Sequence, residues 1–427
     1  MTDNNIEIKE RRMKFAGHDV TDLADRYGTP LYLMDEARIR ENCRRYTDCL
    51  DIMPEGSMIL YAGKACCFKD MYRIITEEGM GADVVSSGEL FTALSAGFDP
   101  SKLFFHGNGK TDTDLECAVN EGIGYIVCDN EDELYALSAV ASYCRKTQKI
   151  LLRLTPGIDP HTHKKIRTGG IDSKFGSLIC DGTAERLAVA ASHMDGVDLC
   201  GFHCHIGSQI FDAQPFVDAA EIMSEFCAGL YRNHGIKTKI LDLGGGFGVP
   251  YTDSDPELDV RSTVRSIVDE VKRRFGNVAL PAIMLEPGRS IVADAGMTLY
   301  TAGSTKSIPG YKNYVSVDGG MTDNPRYALY GSKYTVFLAN RAGEEANFRC
   351  DVVGRCCESG DIIQPDVLLP EPKRGDLIAV CTTGAYNYSM ASNYNRIPRP
   401  PVVMLKGGKP TLAVRRETVD DLTALDM

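Results

Sequence analysis

Lys64 follows the apolar run Met58–Ala62 in the stretch Tyr61-Ala-Gly-Lys-Ala65. A lysine beside two small residues at the end of a strand can reach the axis of a barrel. Burial there disfavours its charged form and leaves an amine able to attack an aldehyde. A lone lysine in such a turn is more often a solvated surface residue, so its neighbours decide. Gly244-Gly-Gly-Phe-Gly248 follows the run Ile240–Leu243. Successive glycines let backbone N–H groups converge on an anion without Cβ interference, as in a phosphate cradle, although glycine clusters also make plain turns. No further βαβ unit with an acid at the required distance follows, which disfavours a dinucleotide fingerprint. Glu286-Pro-Gly-Arg289 closes the run Ala282–Glu286. Its carboxylate could keep a heteroaromatic ring nitrogen protonated, or could form a structural ion pair with Arg289.

Two pairs of alternating histidines stand out, His203-Cys-His205 and His161-Thr-His163. Each pair can face one side of a strand and share a metal ion, or one imidazole can lie flat on a cofactor ring. Carboxylates and thiolates at familiar ligand spacings are missing nearby, and no HEXXH segment occurs, so no metal is expected. Cys356-Cys-Glu-Ser-Gly-Asp361 places thiols beside a carboxylate in a turn. Such a thiol is either a proton donor or a buried residue of a hairpin.

The elements that must position these groups read as alternating strands and helices. Eight strand-like runs are Met58–Ala62, Asp83–Val85, Leu103–Phe105, Gly124–Cys128, Ile150–Leu154, Asp198–His203, Lys239–Leu243 and Ala282–Glu286. Helix-compatible segments separate them, clearest over Glu131–Arg145 and Gln214–Tyr231, where apolar residues recur at helical spacing. Such alternation predicts an α/β protein with a (β/α)8 TIM-type barrel, typically ~250 residues long, whose chemistry sits on the loops after the strands. Lys64, Ser86, Ser87, His106, Asp129, His205, Gly244 and Glu286 all fall at or just beyond such strand ends.

After Arg289 the texture changes to short β-branched and aromatic runs: Tyr314–Val317, Tyr334–Leu338, Cys350–Val353, Leu377–Cys381 and Val402–Leu405. These predict a second, mostly β domain, to which the early run Leu31–Met34 adds a strand. The expected boundaries are 36–285 for the barrel, and 1–35 with 286–427 for the β domain. With 427 residues the chain is too long for one compact core. A net charge of −12 argues against a nucleic-acid or anionic-membrane partner. No run is apolar and long enough to cross a bilayer, and residues 1–15 lack the apolar core of a secretory signal. The 15 cysteines are an odd count without a CxxC pair, which favours reduced thiols and a cytoplasmic location.

Taken in order, the motifs resemble those of the fold type III (alanine racemase-like) pyridoxal phosphate decarboxylases, over about residues 30–400. They are YAGKA, DVVSSGEL (Asp83–Leu90), HGNGK ending at Lys110, DSKFG (Asp172–Gly176) and GFHCHIGSQ (Gly201–Gln209). GGGFG, EPGR, DNPRYALYG (Asp323–Gly331), CESGD and GAYNYSMASNYN (Gly384–Asn395) follow. The resemblance implies pyridoxal 5′-phosphate as cofactor and decarboxylation of a small amino acid, with meso-2,6-diaminopimelate to L-lysine as the expected reaction. It implies that Lys64 carries the cofactor covalently and that His205 stacks on its ring. Ser208, Gly244, Gly245, Gly246 and Gly288 would lie near the phosphate, and Glu286 would pair with the ring nitrogen. Arg289 is expected at both cofactor and substrate, Arg326 and Tyr330 at substrate, and Tyr386 near both. Cys357 is implied as proton donor and Glu358 as the group that recognises the distal ammonium. In this family those two come from a partner subunit, which implies a homodimer with shared active sites.

Two arginines and a glutamate complement a distal carboxylate and ammonium. A decarboxylase that forms diamines has no distal carboxylate to bind, and typically carries CDGxD where this chain has CESGD. Related decarboxylases of D-ornithine, D-lysine, carboxynorspermidine or arginine are the nearest alternatives. A non-catalytic regulatory relative tends to lose the lysine or the cysteine, and both are present here. A racemase on the same barrel is disfavoured by CESGD and the long C-terminal region. Gly63 departs from the commoner pattern, in which a larger residue stands there.

Overall fold

The computed structural model describes residues 5–158, 170 and 173–427. His161, His163 and the start of the Asp172–Gly176 motif lie outside the described residues. The chain divides into two compact units, one of Asn42–Val249 with Pro256–Ser290, the other of Met1–Glu41, Pro250–Asp255 and Ile291–Met427.

The first unit is a closed barrel of eight parallel strands: Met58–Ala62, Gly81–Val84, Leu103–Phe105, Tyr125–Cys128, Gln148–Thr155, Val197–His203, Ile240–Asp242 and Ala282–Leu285. Each pairs with the next, and Met284 and Leu285 of the last pair with Met58 and Ile59 of the first. Leu60, Phe104, Val127, Leu151, Cys200, Ile240 and Met284, from seven different strands, pack as one apolar cluster. Barrel interiors are filled with such layers of side chains. Beyond this layer, at the carboxyl ends of the strands, the buried residues turn polar: Asp83, His106, Arg153, His203, Asp242 and Glu286.

Local signals fix the helices that hold the strands apart. Glu131–Tyr143 starts where the Asn130 side chain accepts the Glu133 N–H at 3.0 Å, with acids throughout its first turn. Gln214–His234 ends on Gly235 in the left-handed region, after Arg232 and His234 in its last turn. Lys110 ties the third βα loop down from within: its Nζ donates to Glu133 Oε1 at 2.7 Å and to the carbonyls of Gly107 and Val127 at 2.8 Å.

In the second unit the strand Gly296–Ile308 is the hub. Its first half pairs antiparallel with Leu31–Asp35 and Leu377–Cys381, and its second half with Lys312–Val317. Leu31–Asp35 runs parallel to Val402–Lys406 on its other side. Lys312–Val317 runs parallel to Phe348–Val353, which pairs antiparallel with Ile362–Leu369. A separate meander joins Ile6–Lys9, Arg12–Phe15 and His18–Asp19. Leu31, Leu33, Met297, Leu299, Leu377, Ala379, Val403 and Leu405 form the core with Met13 and Phe15 of the meander. No helix among the described residues is long and apolar enough to cross a membrane.

The side chains of Lys110 and Glu133 are only 2% and 4% exposed, so neither charge has water in reserve. Lys110→Met is expected to lower unfolding stability by about 3–5 kcal/mol, because it strands a buried carboxylate. The double variant Lys110→Met/Glu133→Leu should recover most of that loss in urea titrations.

Candidate active site

At the mouth of the barrel, Lys64 sits in a single 3-10 turn, Gly63–Ala65, immediately after the first strand. Its Nζ lies 3.8 Å from Asp83 Oδ2, and Asp83 is fully buried on the neighbouring strand. Asp83 Oδ1 accepts the Gly63 N–H at 2.8 Å, so one carboxylate fixes the turn and faces its amine. Burial pushes the Asp83 carboxyl up, with the charge of Lys64 opposing and that of Glu286 adding to it. A side chain at position 63 would meet the Tyr72 hydroxyl at 2.6 Å. The buried tyrosine thus fills the room that a larger residue at 63 would take.

The glycine run is packed as tightly. A Cβ on Gly245 would collide with the Glu286 carbonyl, and one on Gly246, at φ +110°, with the Gly207 carbonyl. Two of the three N–H groups are already engaged: Gly244 donates to Asp242 Oδ1 at 2.9 Å and Gly245 to His205 Nδ1 at 3.2 Å. The Gly244 carbonyl accepts the Glu286 N–H at 2.8 Å. Gly244 therefore links the ends of the seventh and eighth strands, holding the Asp242 carboxylate through its N–H and the Glu286 backbone through its carbonyl. Gly288 packs on the end of the first strand, where a Cβ would come 2.6 Å from that of Ala62, and Ala62 N–H donates to the Pro287 carbonyl at 3.1 Å. Arg289 donates to Ser208 Oγ through Nε at 3.2 Å and Nη2 at 3.0 Å.

Glu286 makes its close charged contacts with histidines: Oε1 lies 2.9 Å from His106 Nε2 and 3.5 Å from His203 Nε2. The two imidazoles meet edge to face, with centroids 4.7 Å apart. Burial works against the charge of Glu286, yet the neighbouring imidazoles of His106 and His203 hold its carboxyl well below the usual range. Asp242 moves the other way, pushed well above the carboxylate range by burial and by Glu286. Burial drives His203 down to about 3. Burial and the charge of Lys64 keep His205 well below the usual imidazole range, in keeping with the bond its Nδ1 accepts. Lys64, His205, Ser208, Gly244–Gly246, Glu286, Gly288 and Arg289 thus all lie on the βα loops of one barrel mouth. His203 groups with His106 and Glu286, not with His205: those three are the described residues whose donor atoms approach within 4.8 Å of one another.

The other predicted residues belong to the β unit. The Arg326 guanidinium is buried between aromatic rings, 4.2 Å from the centroid of Tyr330 and 5.1 Å from that of Tyr386. Its Nη1 lies 3.8 Å from Met390 Sδ, its Nε is buried without a hydrogen-bond partner, and no carboxylate pairs with it among the described residues. Tyr386 occupies the left-handed region at φ +61°. Cys357 and Glu358 are exposed on a turn whose neighbour Cys356 is buried, its N–H on Asp361 Oδ2 at 2.7 Å. Asn395 Oδ1 accepts the Cys357 N–H at 2.9 Å, and the Tyr394 hydroxyl donates to Glu358 Oε1 at 2.6 Å.

Sequence reasoning gave no role to Asp83, His106, Asp242, Tyr394 or Asn395. An acid within an otherwise buried parallel strand, as in Gly81-Ala-Asp-Val84 and Ile240-Leu-Asp242, is the signal that could have found two of them.

Over residues 36–293 the chain matches the family described as pyridoxal-dependent decarboxylase, pyridoxal binding domain. It is 45% identical over 421 residues to the diaminopimelate decarboxylase of Bacillus subtilis (strain 168), which covers 97% of this chain and 95% of that protein. Among solved structures, diaminopimelate decarboxylase from M. jannaschii in complex with L-lysine is 33% identical, with a TM-score of 0.93 over 100% of this chain and 98% of that one. The Helicobacter pylori enzyme complexed with L-lysine is 31% identical, with a TM-score of 0.88 over 95% of this chain and 99% of that one.

The depressed His203 makes a pH prediction. On acidification below the ordinary value of 6.5 the unfolded chain takes up a proton that the folded chain refuses until about pH 3. Stability tied to this residue is therefore present above 6.5 and is lost as pH falls through that window. Denaturant titrations at a series of pH values should show a shallower acid loss for His203→Gln than for the unsubstituted chain.

Proposed function

The chain belongs to the pyridoxal-dependent decarboxylases, in the diaminopimelate decarboxylase group, and on that premise we propose that it converts meso-2,6-diaminopimelate to L-lysine and CO2, the last step of lysine biosynthesis. Pyridoxal 5′-phosphate, when bound, supplies an aldehyde for the substrate amine and a ring that accepts the electron pair left by CO2. The barrel mouth fits it. Asp83 Oδ2 and His203 Nδ1 are buried without a hydrogen-bond partner, as expected where a polar group docks. The crowded glycines admit nothing larger than hydrogen beside the backbone.

In this reading Lys64 is the residue that holds the aldehyde carbon, and Asp83 orients its amine. Glu286, kept anionic, faces the ring nitrogen, and the neutral His205 offers its ring face. With the Gly244 and Gly245 N–H groups engaged, Gly246 is the glycine of the three whose N–H has no protein acceptor among the described residues, and it falls to the phosphate. Ser208 and Arg289, bonded to each other, complete the phosphate's surroundings, with Gly288 giving clearance and Arg289 also within the substrate's reach. Arg326, Tyr330 and Tyr386 hold substrate, and Glu358 receives the distal ammonium. Cys357 Sγ returns a proton to the carbon that has lost CO2.

The observation that carries the substrate assignment is Arg326. A guanidinium held between two tyrosines with no carboxylate of its own is a charge awaiting an anion. Diaminopimelate brings a second carboxylate, and a diamine precursor does not. We further propose a cytoplasmic homodimer. Exposure of Cys357 and Glu358 on a single chain supports a site completed by a second copy, and the high cysteine content without a CxxC pair suits a reducing compartment.

Incubation of the cofactor-loaded protein with meso-diaminopimelate should yield L-lysine and CO2 in equal amounts; a clear preference for a substrate without the distal carboxylate overturns the assignment. Lys64→Ala is expected to abolish the cofactor absorbance band near the edge of the visible range, and an unchanged band rejects the role given to this lysine. Arg326→Leu should lower kcat/KM for diaminopimelate by at least about 30-fold, the scale of losing one partner of a buried charge pair. Most of that loss should fall on KM.

A further inference from the structure

His106 and His203 have no part in the chemistry described so far, yet both are buried, with side chains 4% and 1% exposed, and both bring Nε2 close to the same oxygen of Glu286, at 2.9 and 3.5 Å. They come from two strands that are not neighbours in the barrel: His106 just after Leu103–Phe105, His203 at the end of Val197–His203. Convergence of the third and sixth strand ends on one carboxylate oxygen is not something sheet pairing requires. Resting on the decarboxylase reading, we propose that His106 and His203 are positioning residues that hold Glu286 in one orientation and keep it ionised for the ring nitrogen of the cofactor.

The surroundings leave Glu286 few other means of keeping its charge. Asp83 and Asp242, the other acids close to it, repel a second negative charge, and both are themselves shifted toward the neutral form. Arg153 contributes a favourable charge, but its guanidinium lies over the Phe175 ring at 4.2 Å and its Nε is 4.0 Å from Asp129 Oδ1. Asp242, itself driven toward the neutral form, also hydrogen-bonds the carboxylate, and the two imidazoles are the nitrogen groups that stand against it, at 2.9 and 3.5 Å. A buried carboxylate that lacks donors takes up a proton instead. A protonated Glu286 no longer stabilises positive charge on a ring nitrogen, and the electron-accepting power of the ring falls with it. The pair therefore acts through Glu286, not on substrate.

The test uses cofactor-loaded protein carrying 15N in the pyridine ring. His106→Leu removes the donor at similar bulk, and His106→Gln keeps an N–H without a charge. In His106→Leu the ring 15N resonance should move toward its unprotonated position and kcat should fall by about 10- to 100-fold, the usual range for losing an outer partner of an active-site ligand. KM for diaminopimelate should stay within about twofold, as expected when only the chemical step is touched. His106→Gln should recover most of both signals. An unchanged ring resonance with undiminished kcat in His106→Leu overturns the proposal, as does stoichiometric metal bound at the two histidines in the purified protein. Should the leucine variant fail to fold, infrared difference spectra of the unsubstituted protein against Glu286→Gln decide: an ionised carboxylate band supports the proposal, and a protonated-acid band overturns it. If Glu286→Gln itself leaves the ring resonance unmoved, the decarboxylase reading of Glu286 fails, an outcome distinct from failure of the histidine pair.

Discussion

A carboxylate sealed from water stays charged only while donors or positive groups stand against it, and the barrel mouth is organised around one such group, Glu286. Its backbone N–H is held by the Gly244 carbonyl, its side chain by two imidazoles, and the next residue's carbonyl accepts the N–H of Ala62 at the end of the first strand. Through these bonds the last strand, the glycine loop and the lysine turn form one continuous structure. The separation of charge states follows from it. Three acids crowd one dry space, and the one that faces the histidines remains ionised while the other two are driven toward neutrality.

The glycines at 244–246 fit the same logic. Consecutive glycines suggest a loop shaped for a ligand, and the packing shows a prior demand. Their Cβ positions are already taken by carbonyls of the sixth and eighth strand ends, and two of their three N–H groups serve protein acceptors. The bend is first a joint between neighbouring strands, and only the Gly246 amide is left without a protein acceptor among the described residues. Gly63 is a similar case, since its missing side chain is matched by Tyr72.

The barrel was legible because parallel strands buried on both faces leave short apolar runs at regular intervals, and the residues that end those runs must gather at one mouth. The second unit was less so, for identifiable reasons. Gly296–Ile308 begins apolar and ends in Gly-Ser-Thr-Lys-Ser-Ile, because its first half is buried and its second half lies exposed beyond a bulge at Gly303. Ile362–Leu369 carries Pro365, which a strand tolerates when it pairs on one side, and among the paired strands its partner is Phe348–Val353. In the site, Lys64, the glycines and Glu286 stood at strand ends and could be picked out. Asp83 opened, and Asp242 lay inside, runs that read only as strands. His106 closed a run with no visible partner, since its contact to Glu286 spans 180 positions that only barrel closure brings together.

Leu31–Asp35 sits between Gly296–Ile308 and Val402–Lys406 in the β sheet, so both of its hydrogen-bonding edges are satisfied by strands from the far end of the chain. As the polypeptide leaves the ribosome, this apolar segment emerges early and waits unpaired while the whole barrel is made. Its final neighbour exists only once residue 406 has been translated. Ordering of the sheet is therefore a post-synthetic event of high contact order, and the interval before it is when the nascent chain most needs protection from pairing with the wrong strand.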